Sequence, residues 1–186
     1  MPLSLESLMP WKWLRNTLSA WAASVARPPF KRTVCPCKEC ASFCKTEPGA
    51  LIPSDVPRIA HRLVEMKLID REEDVGQFLR ASRATTVYDR NLGMQVRVMK
   101  IGPARNRRGR CVFLDESDRC QIHGVSPFGC AYFDAHMPRA ECDRRMLWGL
   151  VQIRSSPEYQ SLRDTLPLAE DLSDHSKPAK GRKPGR

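Results

Sequence analysis

The sequence predicts a small α+β domain built around a cluster of cysteines, with a few short strands, several helices and much loop. The chain has 186 residues, which suits one domain with tails. Hydrophobic residues make up 41% of it, enough to form a core. All 8 cysteines lie between Cys35 and Cys142. These features exclude a collagen, a coiled coil and a multi-span membrane protein.

Three parts of the chain differ in composition. Residues 1–32 are predicted to form a tryptophan-rich amphipathic helix and a linker. Residues 33–168 are predicted to form a cysteine-cluster metal-binding domain, and residues 169–186 a disordered basic tail. The last ten residues contain prolines, glycines and basic residues and no large apolar side chain that could be buried.

The N-terminal part has a helical stripe of apolar residues over residues 11–25. Steps of three and four separate Trp11, Leu14, Leu18, Trp21 and Val25. Such a helix can dock on the domain, lie in a membrane interface or act as a weak signal peptide. The uncharged stretch is far shorter than the roughly 20 residues that span a bilayer. Peripheral membrane contact through this helix therefore stays open, and no transmembrane segment is predicted.

The first half of the domain is predicted to contain a loop, helices and a hairpin. Residues 35–44 hold four cysteines without periodicity and predict a loop or knuckle. Apolar residues at helical spacing predict a helix over residues 54–68, and Asp70 begins a second helix with a capping pattern. The β-branched and alternating residues of 85–88 and 94–98 predict two paired strands.

The second half of the domain is predicted to contain short strands followed by two helices. Residues 111–114 and 120–123 are apolar and predict short buried strands. Residues 139–154 have an apolar side typical of a helix. A last short helix is predicted to begin at Ser156-Pro157 and to end near residue 166, because proline suits the first turn of a helix.

The positive charge is concentrated in two stretches. The formal net charge is +10. Residues 97–110 contain six basic residues and no acid, and residues 173–186 contain five basic residues and one acid, so these two stretches account for the whole excess. Such runs bind phosphate backbones or anionic surfaces, or are simply solvated. Neither run contains an interleaved aromatic residue for base stacking, so nucleic-acid binding is only weakly supported.

The cysteines form two groups. Cys35, Cys37, Cys40 and Cys44 have the spacing C-x-C-x2-C-x3-C, and the others are Cys111, Cys120, Cys130 and Cys142. A disulfide framework is one alternative, but cysteine makes up only about 4% of the chain, below the 8–10% of disulfide scaffolds. The close spacing favours metal in a reducing compartment.

Two kinds of metal centre fit these cysteines. Structural zinc takes four ligands in a tetrahedron, to which His123 and His136 could also contribute. An iron–sulfur cubane takes one thiolate at each iron. Spacing alone does not choose between zinc and an iron–sulfur cluster. Because the chain has more thiols than one four-ligand site needs, either two sites are present or some of the thiols are structural. Eight residues are predicted as metal ligands: Cys35, Cys37, Cys40, Cys44, Cys111, Cys120, Cys130 and Cys142.

Two longer stretches around the cysteines have a distinctive pattern. The first comprises Cys37-x2-Cys40, Cys44 and Pro48-Gly49-x-Leu51-x-Pro53-x-Asp55-Val56-x-Arg58-Ile59. The second comprises Cys111-Val-Phe-Leu114-Asp115, Cys120-x-Ile122-His123 and Pro127-x2-Cys130-x-Tyr132-Phe133. Together they resemble the YkgJ-type cysteine-cluster family of zinc- or iron-chelating domain proteins, over about residues 35–135. The family usually has two adjacent cysteines where Ala-Ser-Phe separates Cys40 from Cys44, Cys35 is additional, and Cys142 lies beyond the resemblance.

The resemblance implies a small bacterial, cytoplasmic protein that binds zinc or an iron–sulfur cluster of the 4Fe-4S type. Its role would be structural, redox or metal handling, with an unknown protein partner. A distant relative methylates lysines of flagellin, so a cluster-dependent modifying enzyme or maturation partner is an alternative. A zinc-stabilised nucleic-acid binder acting through residues 97–110 is another. No catalytic residue is predicted, because no phosphate-binding, hydrolase or methyl-donor motif is recognisable, and the question of enzyme activity stays open.

Overall fold

The structure of the protein, a computed structural model, describes five ranges, namely residues 27–33, 35, 37–82, 85–89 and 93–169. The predicted amphipathic helix of residues 11–25 lies outside the described residues, and so does the predicted basic tail beyond residue 169.

Seven helical segments lie within the described ranges. The α-helices are α1 (Lys38–Thr46), α2 (Asp55–Glu65), α3 (Phe128–Ala131), α4 (Arg139–Ser155) and α5 (Pro157–Thr165). Two segments are 3₁₀ helices, Glu72–Phe78 and His123–Val125. The three predicted helices that begin near Ser54, Arg139 and Ser156 are therefore present.

Four short strands form two antiparallel pairs in the described part of the chain. β1 (Leu79–Ala81) pairs with β4 (Ile101–Pro103), and β2 (Thr85–Asp89) pairs with β3 (Met94–Val98). The second pair is the predicted hairpin. Together with the helices and long loops, these strands confirm the predicted α+β class.

Two local predictions are wrong, and a third differs in the type of helix. Residues 35–44 do not stay irregular, because α1 begins at Lys38. The helix predicted from Asp70 is a 3₁₀ helix. Residues 111–114 and 120–123 are tight turns joined by isolated bridges rather than strands: Leu114 N–H donates to Cys111 O and His123 N–H to Cys120 O, both at 3.2 Å. Apolar composition predicted burial correctly there but not backbone conformation.

The core lies between α2, the two C-terminal helices and the β1–β4 pair. Val56, Ile59 and Leu63 of α2 are fully buried, as their spacing of three and four residues predicts. Tyr159 of α5 is also fully buried, and its hydroxyl donates to Leu51 O at 2.8 Å and accepts Ile101 N–H at 2.7 Å. This hydroxyl ties α5 to β4 and to the segment that leads into α2.

Two glycines let distant segments cross in direct backbone contact. A Cβ atom on Gly49 would lie 2.2 Å from the carbonyl carbon of Gly129, and one on Gly129 would lie 2.5 Å from the nitrogen of Ala50. No real Cβ tolerates such distances. Gly129 N–H donates to Ala50 O at 2.9 Å across the crossing. The crossing places the chain that follows α1 directly against α3.

Residues 30–33 pack on the body of the domain. The ring of Phe30 lies 5.7 Å from that of Trp148, edge to face. Arg32 donates to Ser126 Oγ at 2.9 Å, and Thr33 N–H donates to Ala131 O at 2.8 Å. The boundaries 1–32, 33–168 and 169–186 stay predictions.

None of the helices in the described part of the chain is long and apolar enough to cross a membrane.

Candidate metal centre

Helix α1 carries the first group of cysteines. Cys37 caps its N-terminus, and the Sγ of Cys37 accepts Cys40 N–H at 3.4 Å. Cys40 and Cys44 are four residues apart and so lie on the same face of the helix. No residue of α1 is buried, which explains why its sequence has no helical apolar stripe. The helix contributes ligand atoms rather than core.

A turn after α3 brings a histidine to these thiols. His136 Nε2 lies 3.2 Å from Cys37 Sγ. The turn is held in two ways: Asp134 Oδ1 accepts His136 N–H at 2.9 Å, and Ala135 N–H donates to Cys40 Sγ at 3.3 Å. Asp134, which follows Cys130 closely in sequence, therefore positions the backbone of the histidine.

Four donor atoms meet at this point, all within 4.8 Å of one another. We call them the Cys3His site: Cys35, Cys37, Cys40 and His136. Zn–S bonds are about 2.3 Å long, so ligand atoms in a tetrahedron around one zinc ion lie roughly 3.8 Å apart. Three thiols and one imidazole are a donor set of known zinc sites. The residues present therefore fit a single metal ion.

The electrostatics of this site favour a thiolate at its centre. The backbone N–H of Cys40 and the side chain of His136 lower the pKa of Cys37 to about 6. The backbone N–H of Ala135 lowers the pKa of Cys40, but burial and the neighbouring thiols Cys37 and Cys35 outweigh it and raise that pKa to about 11. Hydrogen bonding to Cys37 raises the pKa of His136. Several sulfurs thus compete for negative charge, a situation that a bound cation relieves.

Six cysteines line one cavity of about 280 Å³. They are Cys35, Cys40, Cys44, Cys111, Cys120 and Cys130. The remaining wall is largely apolar and includes Phe113, Leu114 and Phe133. The structure therefore brings both cysteine groups of the sequence to the same space, although they are more than 60 residues apart in the chain.

Backbone N–H groups lie beside three of these cysteines. Gly49 N–H donates to Cys130 Sγ at 3.1 Å, and the backbone N–H groups of Phe113 and Ile122 act to lower the pKa of Cys111 and Cys120. Burial raises the pKa of Cys111 to about 11 and also raises the pKa of Cys120 and Cys130. Burial therefore favours the neutral thiol at each of these three positions.

Two further candidate residues of the sequence, Cys142 and His123, are not part of the Cys3His site. Cys142 is half-buried on α4 and does not line the cavity. His123 lines the cavity and is exposed, but it is not part of the Cys3His site. His136 was only one of two candidate histidines in the sequence, where the spacing Cys130-x5-His was its signal.

The basic stretch 97–110 covers the end of β3, the whole of β4 and a turn that follows. Arg97 is an exposed residue of β3. Asn106 Oδ1 accepts the N–H groups of Arg108 and Arg110, and Arg110 forms an ion pair with Asp118. At least one of the six basic side chains in this stretch therefore forms an ion pair within the domain.

Comparison with known proteins gives one match. Residues 36–148 match the family model CxxCxxCC, described as "Putative zinc- or iron-chelating domain". No curated protein and no solved structure matches the chain.

Proposed function

The chain belongs to this zinc- or iron-chelating family, and on that premise we propose that it is a metal-handling protein that binds one zinc ion reversibly at the Cys3His site. The observation that supports this most is the convergence of four donor atoms within 4.8 Å. Three sulfurs and a nitrogen at this spacing suit a zinc ion, whose d¹⁰ shell accepts a tetrahedron of soft ligands.

Reversible binding is supported by where the site lies. Its helix, α1, has no buried residue, and His136 is exposed. None of the buried core residues lies in α1, and Cys44 is the one apolar side chain of this helix that packs against the core. A zinc ion can therefore enter and leave with a local rearrangement, in contrast to a zinc finger, whose fold forms only with metal.

A competition titration tests the proposal. The zinc affinity of the full chain is measured with a chromophoric chelator, under reducing conditions and without oxygen. Loss of an outer partner of a zinc ligand lowers affinity by about 10–100-fold, so loss of a ligand should cost more than about 100-fold. We expect this for His136→Ala and Cys37→Ser.

A matched control is available in the second cavity histidine. His123→Ala removes an exposed imidazole that also lines the cavity but lies outside the Cys3His site. It should leave the zinc affinity unchanged. Equal affinities for the wild-type protein and His136→Ala would contradict the proposed site.

The broader alternatives stay predictions. A cluster-dependent modifying enzyme requires a methyl donor and a protein substrate, and nucleic-acid binding through residues 97–110 requires binding that weakens steeply with salt. The bacterial, cytoplasmic setting is likewise a prediction from the resemblance.

A further inference from the structure

Four cysteines that the Cys3His site does not use line the cavity that Cys35 and Cys40 also line. We call them the four-thiol set: Cys44, Cys111, Cys120 and Cys130. They come from four separate places in the chain, namely the end of α1, two tight turns and α3. Each is close enough to the other three for a charge on one to affect ionisation of another. Such convergence is not required by packing, since a core thiol behaves as a small hydrophobe.

Hydrogen bonds to these sulfurs point to an anionic ligand role. Gly49 N–H donates to Cys130 Sγ at 3.1 Å, and the backbone N–H groups of Phe113 and Ile122 act to lower the pKa of Cys111 and Cys120. A neutral thiol is a weak acceptor and gains little from such donors, whereas a thiolate is stabilised by them. In this apolar cavity, thiolates also need a cation to offset the cost of burying their charge.

The spacing of the four-thiol set differs from that of the Cys3His site. Among the described residues, the Cys3His site alone brings three or more ligand atoms within 4.8 Å of one another, so no three sulfurs of the four-thiol set do so. A single zinc ion needs its ligands roughly 3.8 Å apart. A four-iron cluster spreads its thiolates wider, since each thiolate binds a different iron.

The cavity that these sulfurs line has room for more than a single ion. Its volume is about 280 Å³, and Cys35 and Cys40 also line it, whereas about 10–15 Å³ of such space already holds one water molecule. Its apolar wall, which includes Phe113, Leu114 and Phe133, would shield a cluster from water.

We propose that the four-thiol set holds a 4Fe-4S cluster, one thiolate to each iron, beside and separate from the single-ion Cys3His site. This adds a second centre to the proposed function, and either centre can fail without the other. The chain would then carry one zinc ion together with four irons and four sulfides.

Counting metals on the full chain tests the proposal. The protein is purified without oxygen from cells grown with added iron, and its iron, acid-labile sulfide and zinc are measured. We expect about four irons, four sulfides and one zinc per chain, with broad absorption near about 400 nm. Cys120→Ser should lose the iron, the sulfide and the absorption while keeping zinc. His136→Ala should show the reverse.

Cys142→Ser is the matched control, because it removes a half-buried cysteine that does not line the cavity. It should keep both centres. Two results overturn the proposal: wild-type protein with zinc but no iron and sulfide, or a Cys120→Ser protein that keeps the absorption. Protein that contains iron and sulfide but no zinc would instead contradict the proposed function alone.

A measurement on unmodified protein guards against variants that fail to fold. Native protein is treated with a zinc chelator and then with iodoacetamide, and the labelled cysteines are identified by mass spectrometry. Cys35, Cys37 and Cys40 should become labelled, while Cys111, Cys120 and Cys130 stay protected until the colour is bleached. Labelling of both groups at the same rate before bleaching contradicts two separate centres.

Discussion

The carboxylate of Asp55 accepts the backbone N–H of Phe128 at 2.7 Å, across 73 residues of sequence. The same oxygen, Oδ2, accepts Ile52 N–H at 3.0 Å, and Oδ1 faces Arg58 at 3.5 Å. Asp55 is fully buried. It therefore fastens the start of α2 to the start of α3, which carries Cys130, and explains why an aspartate stands in the motif Asp55-Val56-x-Arg58.

Removal of this carboxylate should destabilise the fold. Asp55→Ala leaves two buried N–H groups without an acceptor, each at a cost of about 1–3 kcal/mol. We expect the free energy of unfolding in urea to fall by about 2–5 kcal/mol. Asp55→Asn keeps an oxygen in place and should lose only about 1 kcal/mol. Equal losses for the two variants would show that the hydrogen bonds do not matter.

The same residue should give stability a pH dependence. Burial raises the pKa of Asp55 from 3.8 to about 6, although the amides of Ile52 and Phe128 oppose the shift. Between these values the folded state binds more protons than the unfolded state, so stability falls as pH rises from about 4 to about 6. The fall should be on the order of 3 kcal/mol and should stop above the folded pKa. Urea unfolding at several pH values measures it, and Asp55→Asn should lack this component. If the difference in the free energy of unfolding between the wild-type protein and Asp55→Asn does not change with pH, the raised pKa is contradicted.

The crossing of Gly49 and Gly129 should not accept a side chain. Gly49→Ala places a Cβ 2.2 Å from backbone and separates Gly49 N–H from Cys130. We expect a loss of about 3 kcal/mol or more in stability, because backbone rather than a side chain must move. The iron content should fall as well.

Gly124→Ala is the control for this substitution, since a Cβ at Gly124 meets no atom within 4 Å. Its urea transition should match that of the wild-type protein within about 0.5 kcal/mol. Similar losses for both variants would mean that crowding at the crossing is not the cause.

The hydroxyl of Tyr159 should contribute measurably to stability. It lies between Leu51 O and Ile101 N–H, so Tyr159→Phe leaves two buried backbone groups without this partner. We expect a loss of about 1–3 kcal/mol in the free energy of unfolding, with an unchanged dependence on urea concentration. Stability within error of the wild-type value is the contrary result.

Removal of zinc should leave the core folded. Because α1 has no buried residue, the zinc-free protein should keep a cooperative urea transition with an m-value within about 10–15% of the zinc-bound value. The midpoint falls only by the stabilisation that bound zinc provides, divided by the m-value. Chelation followed by circular dichroism checks this. A zinc-free protein without a cooperative transition would instead have a fold that depends on metal.

The sequence predicted those elements whose side chains are sorted between core and solvent. Val56, Ile59 and Leu63 have helical spacing because α2 buries one face, and in β3 the exposed Arg97 lies between the half-buried Val96 and the buried Val98. Helix α1 buries nothing, so it has no such pattern. Residues 111–114 are buried but lie in a turn, and burial alone does not distinguish a turn from a strand.

The sequence predicted which cysteines form the candidate site. It did not predict how they divide between the Cys3His site and the cavity. Six of the predicted cysteines line the cavity, and Cys37 lies beside it in the Cys3His site. Because the turn after α3 lies against α1, where Ala135 N–H donates to Cys40 Sγ, His136 reaches Cys37. That contact spans 99 residues, and no local spacing rule reports it.

Helix α1 presents ligands inward and an exposed face outward, with Phe43 48% exposed. Since the outward face supports no core, its residues can change without a penalty in folding. The side chains on this face and those of the core can therefore change independently of each other. The outside of α1 can differ between chains that keep the same cysteines and the same fold.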